Sequence, residues 1–401
     1  MSSHSESQIL IIGAGIAGLT LAQCLRQRKI PYLIFERDSG PSSRNQGWGL
    51  TLHWALERFL AALPSDICSD IYSCQVDGAS AENDTGDFLF LDLTTLEVKY
   101  KVPPSKRIRV QREKLRRLLM RNIDIAWSKQ LTHVDVSEEG IAAHFQDGSA
   151  YTGQILVGAD GSQSQVRRCF APNPRLGRLP VQMLGVKVDL TAEQAAPLQS
   201  ISPLLFQGNI PETGTFLFVS LFDVEETPTG ALYTYQLCLS YPTKGEEEAL
   251  ESVVDGTSTL ISKLQAKAQQ LHPDLQQPFA LLPPDAQVVP IAVTDWDPVS
   301  WDGEGRITLL GDAAHAMTMF RGDGANQSIA DVLDFVEALE RYNVASKGDR
   351  TAIAECIRHF EDTMRPRARA AVLRSRQACL DAHSLGQLAA DSPVVTNRSQ
   401  R

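Results

Sequence analysis

A chain of 401 residues has room for two domains, and 43% hydrophobic with 21% charged residues is an ordinary globular composition. The formal charge of -10 at pH 7 argues against a nucleic-acid partner, which would call for a basic surface to offset phosphate charge. Seven scattered cysteines with no C-x-x-C pair indicate neither a disulfide framework nor a thiolate zinc site, so reduced thiols and no metal are expected.

The polar start MSSHSESQ lacks a basic n-region, and the apolar run after it is broken by glycines, which is no signal peptide. No later run reaches the ~18 uninterrupted apolar residues of a spanning helix, so a cytoplasmic protein without a membrane span is expected. Gln8 to Ile12 reads as a buried parallel strand that empties into Gly13-Ala14-Gly15-Ile16-Ala17-Gly18 and then a helix. Tyr32 to Phe35 is a second strand ending at Glu36. Strand, glycine loop, helix, strand and an acid about 20 residues on make a dinucleotide fingerprint. Gly13 and Gly15 permit a tight turn and backbone approach to a pyrophosphate, Gly18 permits helix–sheet packing, and Glu36 can accept from ribose hydroxyls. Which dinucleotide it holds stays open on these residues alone.

From Ser39 to Leu50 the composition predicts a loop. Arg44 and Trp48 stand out there, Trp48 either as a hydrophobic plug or as a wall against a cofactor face. His53 to Leu63 reads as a helix and Asp87 to Leu93 as a strand. Ile108 to Val110 leads into a basic helix, Gln111 to Met120, with Arg112 and Arg116 on one face. Strands follow from Asp135 to Phe145, with Gly148 at a hairpin, and Gln154 to Val157 empties into Gly158-Ala159-Asp160-Gly161-Ser162.

After Pro180 long strands are expected at Val181 to Leu190, Thr215 to Phe222 and Ala231 to Ser240. Phe216 and Phe218 share a face of the second and Tyr233 and Tyr235 a face of the third; such stripes are core or pocket wall. Ser252 to Gln269 reads as helix, Pro273 to Pro284 as a proline-punctuated connection and Val288 to Val293 as strand. Arg306 to Leu310 is a strand that empties into GDAAHAMTMFRGDGANQSIAD, Gly311 to Asp331, followed by a helix. Asp349 to Ala378 reads as one or two amphipathic helices with a break at Pro366, and the end of the chain as a frayed tail.

GAGIAG with Glu36, GADGSQSQVR from Gly158 and GDAAHAMTMFRGDGANQ from Gly311, in this order, resemble the group-A FAD-dependent monooxygenases. These are single-component aromatic hydroxylases with the para-hydroxybenzoate hydroxylase fold. The resemblance implies an α/β chain: a Rossmann-like FAD-binding domain of the glutathione reductase type, an inserted mixed β-sheet substrate domain and C-terminal helices. It places a discontinuous FAD-binding domain at residues 1–75, 100–180 and 290–365. The substrate domain takes 76–99 and 181–289, a C-terminal helix 366–390, and a flexible tail 391–401.

By the same resemblance Gly13, Gly15 and Gly18 approach the FAD pyrophosphate and Glu36 the adenosine ribose, and Ala17 and Arg37 are further cofactor-binding residues. Arg112, in the pattern RxxLR, and Arg44 on the other side reach the phosphate and ribitol region, with Gly49 beside them. Asp160 sits in a motif serving FAD and the reduced nicotinamide, and Asp312 bonds the ribitol. Gly322 and the backbone of Gly324, Ala325 and Asn326 face the flavin. The implied reaction uses noncovalent FAD, NAD(P)H and O2, through a C4a-hydroperoxyflavin. It hydroxylates or epoxidises an electron-rich aromatic or indole-like molecule of secondary metabolism, in a monomer or homodimer. Other flavin chemistry, of Baeyer–Villiger or halogenase type, and a NAD(P)-dependent dehydrogenase are the alternatives, although no W-x-W-x-I-P halogenase element is present. Similar sequences usually carry proline where this chain has Ala316, Thr318 and Met319, and a neutral amide at Asp323. The peroxide-side wall is therefore expected to be chemically different here. By their place in the flavin loop Arg321 and Asp323 are the catalytic candidates; Trp48, Phe216, Phe218, Tyr233, Tyr235, Thr318, Met319 and Phe320 are the pocket candidates. His315 is expected to be a structural part of its loop.

Overall fold

The computed structural model describes residues 9–43, 47–228, 230–244, 257–344 and 349–396. Five short parallel strands form one sheet in the order β17 (Ile307–Leu309), β11 (Ile155–Gly158), β1 (Ile9–Ile12), β2 (Tyr32–Phe35) and β7 (Ile125–Ala126). β1 and β11 are buried at every position, as a parallel sheet covered on both faces requires. β1 and β11 are continuous apolar runs because neither of their faces meets water.

The ends of β1, β11 and β17 lie side by side: Ala159 N donates to Ile12 O at 2.8 Å and Leu310 N to Gly158 O at 2.9 Å. The three glycine-bearing loops therefore gather at the carboxyl edge of one sheet, where open α/β sheets bind ligands. The helix Ile16–Arg28 leaves the first loop and packs against the helix Gly324–Arg341, which leaves the third. A meander of β8 (Leu131–Val136), β9 (Ile141–Phe145) and β10 (Ala150–Gly153) borders the parallel sheet.

The second sheet has seven strands: β16 (Val289–Asp295), β12 (Gly177–Thr191), β15 (Gly230–Pro242), β14 (Thr215–Thr227), β13 (Leu205–Ile210), β4 (Phe88–Asp92) and β5 (Val98–Val102). It is mixed, because β13 runs parallel to β4 while its other neighbours are antiparallel. Strand alternation gives it two apolar faces. Leu184, Val186, Leu217, Val219, Leu237 and Leu239 pack on one side with Leu198, Leu264 and Leu275 of three covering helices. Met183, Phe216, Cys238 and Val293 look the other way, toward Phe320, Ala378 and Cys379. A two-stranded ribbon, β3 (Gly49–Leu52) with β6 (Ile108–Gln111), crosses between the sheets.

Four expectations are corrected here. Gly49 to Leu52 is a strand because β6 supplies its hydrogen-bonding partners. Pro273–Ala280 is a helix and no mere connection: Pro273 opens it and the His272 ring accepts from Asp274 N. The chain from Arg350 to Ala382 is one helix that runs through Pro366. An internal proline costs about 3 kcal/mol, and buried anchors on both sides, Ile353 to Met364 and Ala368 to Ala382, outweigh it. The tail is docked as far as Thr396, with Val394 1% and Val395 4% exposed. Gln207 Nε2 donates to Val394 O at 3.1 Å. The last residues, 397–401, lie outside the described set. Ala192–Ile201, a further helix the sequence did not announce, starts at a capping box in which the Thr191 and Gln194 side chains and backbones bond reciprocally.

Candidate active site

The first loop is held from both sides. Gly13 sits at φ +108°, and a Cβ there would lie 2.5 Å from Ala159 O. Only glycine accommodates that backbone. The Glu36 carboxylate accepts from Ala14 N at 2.8 Å and Asp38 N at 3.1 Å. Arg116 donates from Nε to Ala14 O at 2.9 Å and from NH1 to Pro41 O at 3.0 Å. Arg116 thus braces the loop, while Arg112, four residues earlier on the same helical face, lines the cavity beside Gly15 and Asp312. The RxxLR spacing carried both arginines, though only one was assigned a role. Arg37 is exposed beyond β2, and Arg44 lies outside the described residues.

In the second loop, Asp160 caps the helix Gln165–Phe170: its Oδ2 accepts from Gln165 N at 2.6 Å and Val166 N at 3.2 Å. Its Oδ1 is buried without a partner among the described residues, and burial raises the carboxyl pKa against the pull of these hydrogen bonds. The third loop is tied down by Asp331. Asp331 Oδ2 accepts from Gly311 N at 2.8 Å and meets His315 Nε2 at 2.5 Å, while Oδ1 pairs with Arg367 at 2.9 Å. Burial works against both charges, yet their mutual attraction leaves His315 raised and Asp331 lowered from their ordinary values. His315 is fully buried in this pair, which makes it the structural member of the loop that the motif implied. Asp312 opens into the cavity; desolvation raises its pKa, opposed by His315, Arg112 and Arg167.

Between the loops and the second sheet lies a cavity of about 490 Å³. Gly15, Ala17, Ala159, Asp312, Gly322, Gly324 and Ala325 border it on the side of the loops. Trp48, Met183, Phe216, Phe218, Ile291 and Phe320 supply apolar wall, and Thr318, Met319 and Asp323 also reach it. Trp48 fits over Gly185, where a Cβ would lie 2.3 Å from its ring. Phe216 and Phe320 meet edge to face at 5.1 Å. Trp48 therefore serves as a wall.

Several candidates stand elsewhere. Tyr233 and Tyr235 belong to the opposite face of β15, packed with the covering helices. Period-two alternation turns Gln236 and Cys238 to the cavity in their place. Arg321 points away from the cavity: its NH1 donates to Pro393 O in the docked tail, and its Nε is 3.9 Å from Asp323. It clamps the chain end and touches no reacting space, which corrects its assignment as catalytic. Asn326 is buried, with its side chain bonding His53 N and Thr51 O, so it fixes β3. Asp323 accepts from Trp54 Nε1 at 2.8 Å and borders the cavity. Arg109, unremarked in the sequence, also lines the cavity; a charge inside the otherwise apolar strand Ile108–Val110 was the available signal.

A family model described as an FAD binding domain matches residues 6–209 and 268–375. A probable FAD-dependent monooxygenase of Arthroderma benhamiae is 37% identical over 99% of this chain and 96% of its own length. This chain belongs to the group-A FAD-dependent monooxygenases. The FAD-dependent monooxygenase dbaB of Emericella nidulans is 40% identical to this monooxygenase, over 80% of the chain and 84% of its own. Among solved structures, Klebsiella pneumoniae HpxO complexed with FAD and uric acid superposes with TM-score 0.73 at 21% identity, over 94% of this chain and 89% of that one. The 2,6-dihydroxypyridine-3-hydroxylase of Arthrobacter nicotinovorans gives TM-score 0.76 at 15% identity, over 98% and 97%. At those identities the structures speak for the fold. Among the described residues of this monooxygenase, no helix is long and apolar enough to cross a membrane.

Proposed function

We propose that this monooxygenase uses NAD(P)H and O2 to insert one oxygen atom into an electron-rich aromatic or indole-like molecule held in the 490 Å³ cavity. The observation that carries the reading is the continuity of that cavity, from a glycine cradle at the parallel sheet to an aromatic wall on the second sheet. The cradle fits FAD: a Cβ on Gly15 would meet nothing within 4 Å, whereas Gly13 and Gly18 are filled against the protein's own backbone. The open side of the turn is thus the cavity side. Gly13, Gly15, Ala17 and Gly18 would hold the pyrophosphate, Glu36 the ribose, Arg112 and Asp312 the ribitol, and the backbone of Gly322, Gly324 and Ala325 the flavin ring.

When bound, FAD supplies the redox chemistry, accepting reducing equivalents from the nicotinamide and rendering O2 electrophilic. The chain's own residues bind, orient and exclude water. Trp48, Phe216, Phe218 and Phe320 offer flat, apolar contacts for a ring and keep the reacting space dry, which disfavours release of peroxide. Asp323 is fixed by Trp54 and reaches the cavity, so its carboxylate can accept the proton of a ring hydroxyl or N–H as the ring attacks. Uric acid, held by the Klebsiella protein of this fold, is a flat electron-rich ring of the expected kind.

The test is Asp323→Asn. It should keep FAD and its reduction by NAD(P)H while product formation falls by about a hundredfold, the usual scale for one general base. A variant with unchanged turnover and unchanged coupling of reductant to product removes Asp323 from the mechanism.

A further inference from the structure

Among the described residues the buried cation Arg109 has no anionic partner. It lies in β6, is 4% exposed and lines the cavity. NH1 donates to Thr51 Oγ1 at 3.0 Å and NH2 to Ser220 Oγ at 2.8 Å, both neutral hydroxyls, and Nε has no partner among the described residues. Among the described residues no carboxylate lies within 4.0 Å of it. Its electrostatic neighbours are the Cys238 thiol and another cation, Arg107. The thiol is no counter-ion, since burial pushes Cys238 up to about 11. Burial brings Arg109 down to about 10, which leaves it charged at neutral pH.

Other arginines with little-exposed side chains are answered within the protein. Arg107 pairs with Asp84 at 2.7 Å. Arg167 is ringed by main-chain carbonyls, including Ala313 O at 3.0 Å. Arg306 has the Gln154 side chain and Glu138 O at 2.8 Å. For Arg109 the chain has instead cleared a place: a Cβ on Gly49 would lie 2.3 Å from its NH2. The hydroxyls that hold it belong to β3 and β14, so the guanidinium is fixed to the sheet floor with Phe218 5.6 Å beneath it. An uncompensated buried charge is strongly unfavourable, and a ligand anion is what relieves it.

We propose that Arg109 is the anion anchor of the cavity and that this monooxygenase selects aromatic molecules carrying a carboxylate or another ring-borne oxyanion. The planar guanidinium matches a carboxylate through two parallel hydrogen bonds. Fixing the anion at the floor turns the opposite edge of the ring toward the loop side of the cavity. This assignment rests on the cavity being the substrate pocket of the proposed reaction.

The test uses benzoate and its neutral isostere benzamide, titrated into the oxidised FAD-loaded enzyme and followed by calorimetry and by flavin absorbance. Benzoate should bind about tenfold or more tightly than benzamide, the scale of one charge-assisted pair. Arg109→Gln should erase that preference while keeping wild-type FAD content, and Arg109→Lys should retain part of it. Benzoate binding no tighter than benzamide in the wild type, or a preference that survives in Arg109→Gln, overturns the proposal. No turnover enters this measurement. Failure to oxygenate any compound would count against the proposed reaction and leave the benzoate result standing.

Discussion

Acid should loosen the wall of the cavity through His383. This side chain is 1% exposed; Nδ1 donates to Cys379 O at 2.7 Å, so Nε2 is the lone-pair nitrogen that accepts from Ser240 Oγ at 2.8 Å. The ring packs 5.0 Å from Phe320 and 5.8 Å from Phe216, both of which line the cavity. Burial pulls its pKa down to about 4 from 6.5, only partly opposed by the Cys379 carbonyl. The folded value is depressed, so the unfolded chain takes up the proton first. Stability is therefore complete above pH 6.5 and is lost as pH falls toward 4. At about 1.4 kcal/mol per unit, the step from pH 7 to pH 5 removes about 2 kcal/mol. His383→Gln retains hydrogen-bonding capacity and cannot titrate. Urea unfolding of both proteins at the two pH values should show the wild type losing about 2 kcal/mol more than the variant. Equal losses in the two proteins refute the argument.

Three further outcomes follow from the same geometry. Tyr235→Phe removes a buried hydroxyl that has no partner among the described residues, so it should leave stability unchanged or raise it by about 1 kcal/mol and leave turnover untouched; a fall in turnover would return Tyr235 to the pocket. Asp331→Asn breaks the buried link among Gly311, His315 and Arg367 and should lower stability by about 3 kcal/mol in urea titrations. It should also remove a pH dependence: His315, raised in the fold, stabilises fully below its ordinary value and loses that contribution as pH rises through the folded one, whereas depressed Asp331 loses its own as pH falls. A variant with the wild-type alkaline limb would contradict the pairing. Gly13→Val places a side chain at φ +108° against Ala159 O and should weaken FAD binding about tenfold or more through strain, read by flavin retention on gel filtration.

The core of the parallel sheet and its loops were legible because β1, β11 and β17 are short, mostly apolar runs emptying into glycine turns, and a strand buried on both faces leaves that mark. The face of the second sheet was not. In β14 both alternating sets are apolar, Phe216 with Phe218 and Leu217 with Val219, so alternation alone cannot say which meets the cavity. Tyr233 and Tyr235 of the neighbouring β15 were misplaced for that reason. Arg321 was misread because its partner is a main-chain carbonyl at Pro393, remote in sequence and within a segment whose polar ends concealed the buried pair Val394 and Val395. Arg109 escaped notice because its meaning lies in what does not surround it.

The cradle and the adjoining cavity would together let FAD, a nicotinamide reductant and O2 place one oxygen atom on a bound ring. Turnover of a panel of phenols, indoles and aromatic acids under isotopically labelled O2, with NADPH or NADH as reductant, tests it most directly. At least one compound should accelerate flavin reduction and emerge with a single labelled oxygen atom, the other appearing in water. Consumption of reductant with peroxide as the sole oxygen product across the whole panel would contradict it.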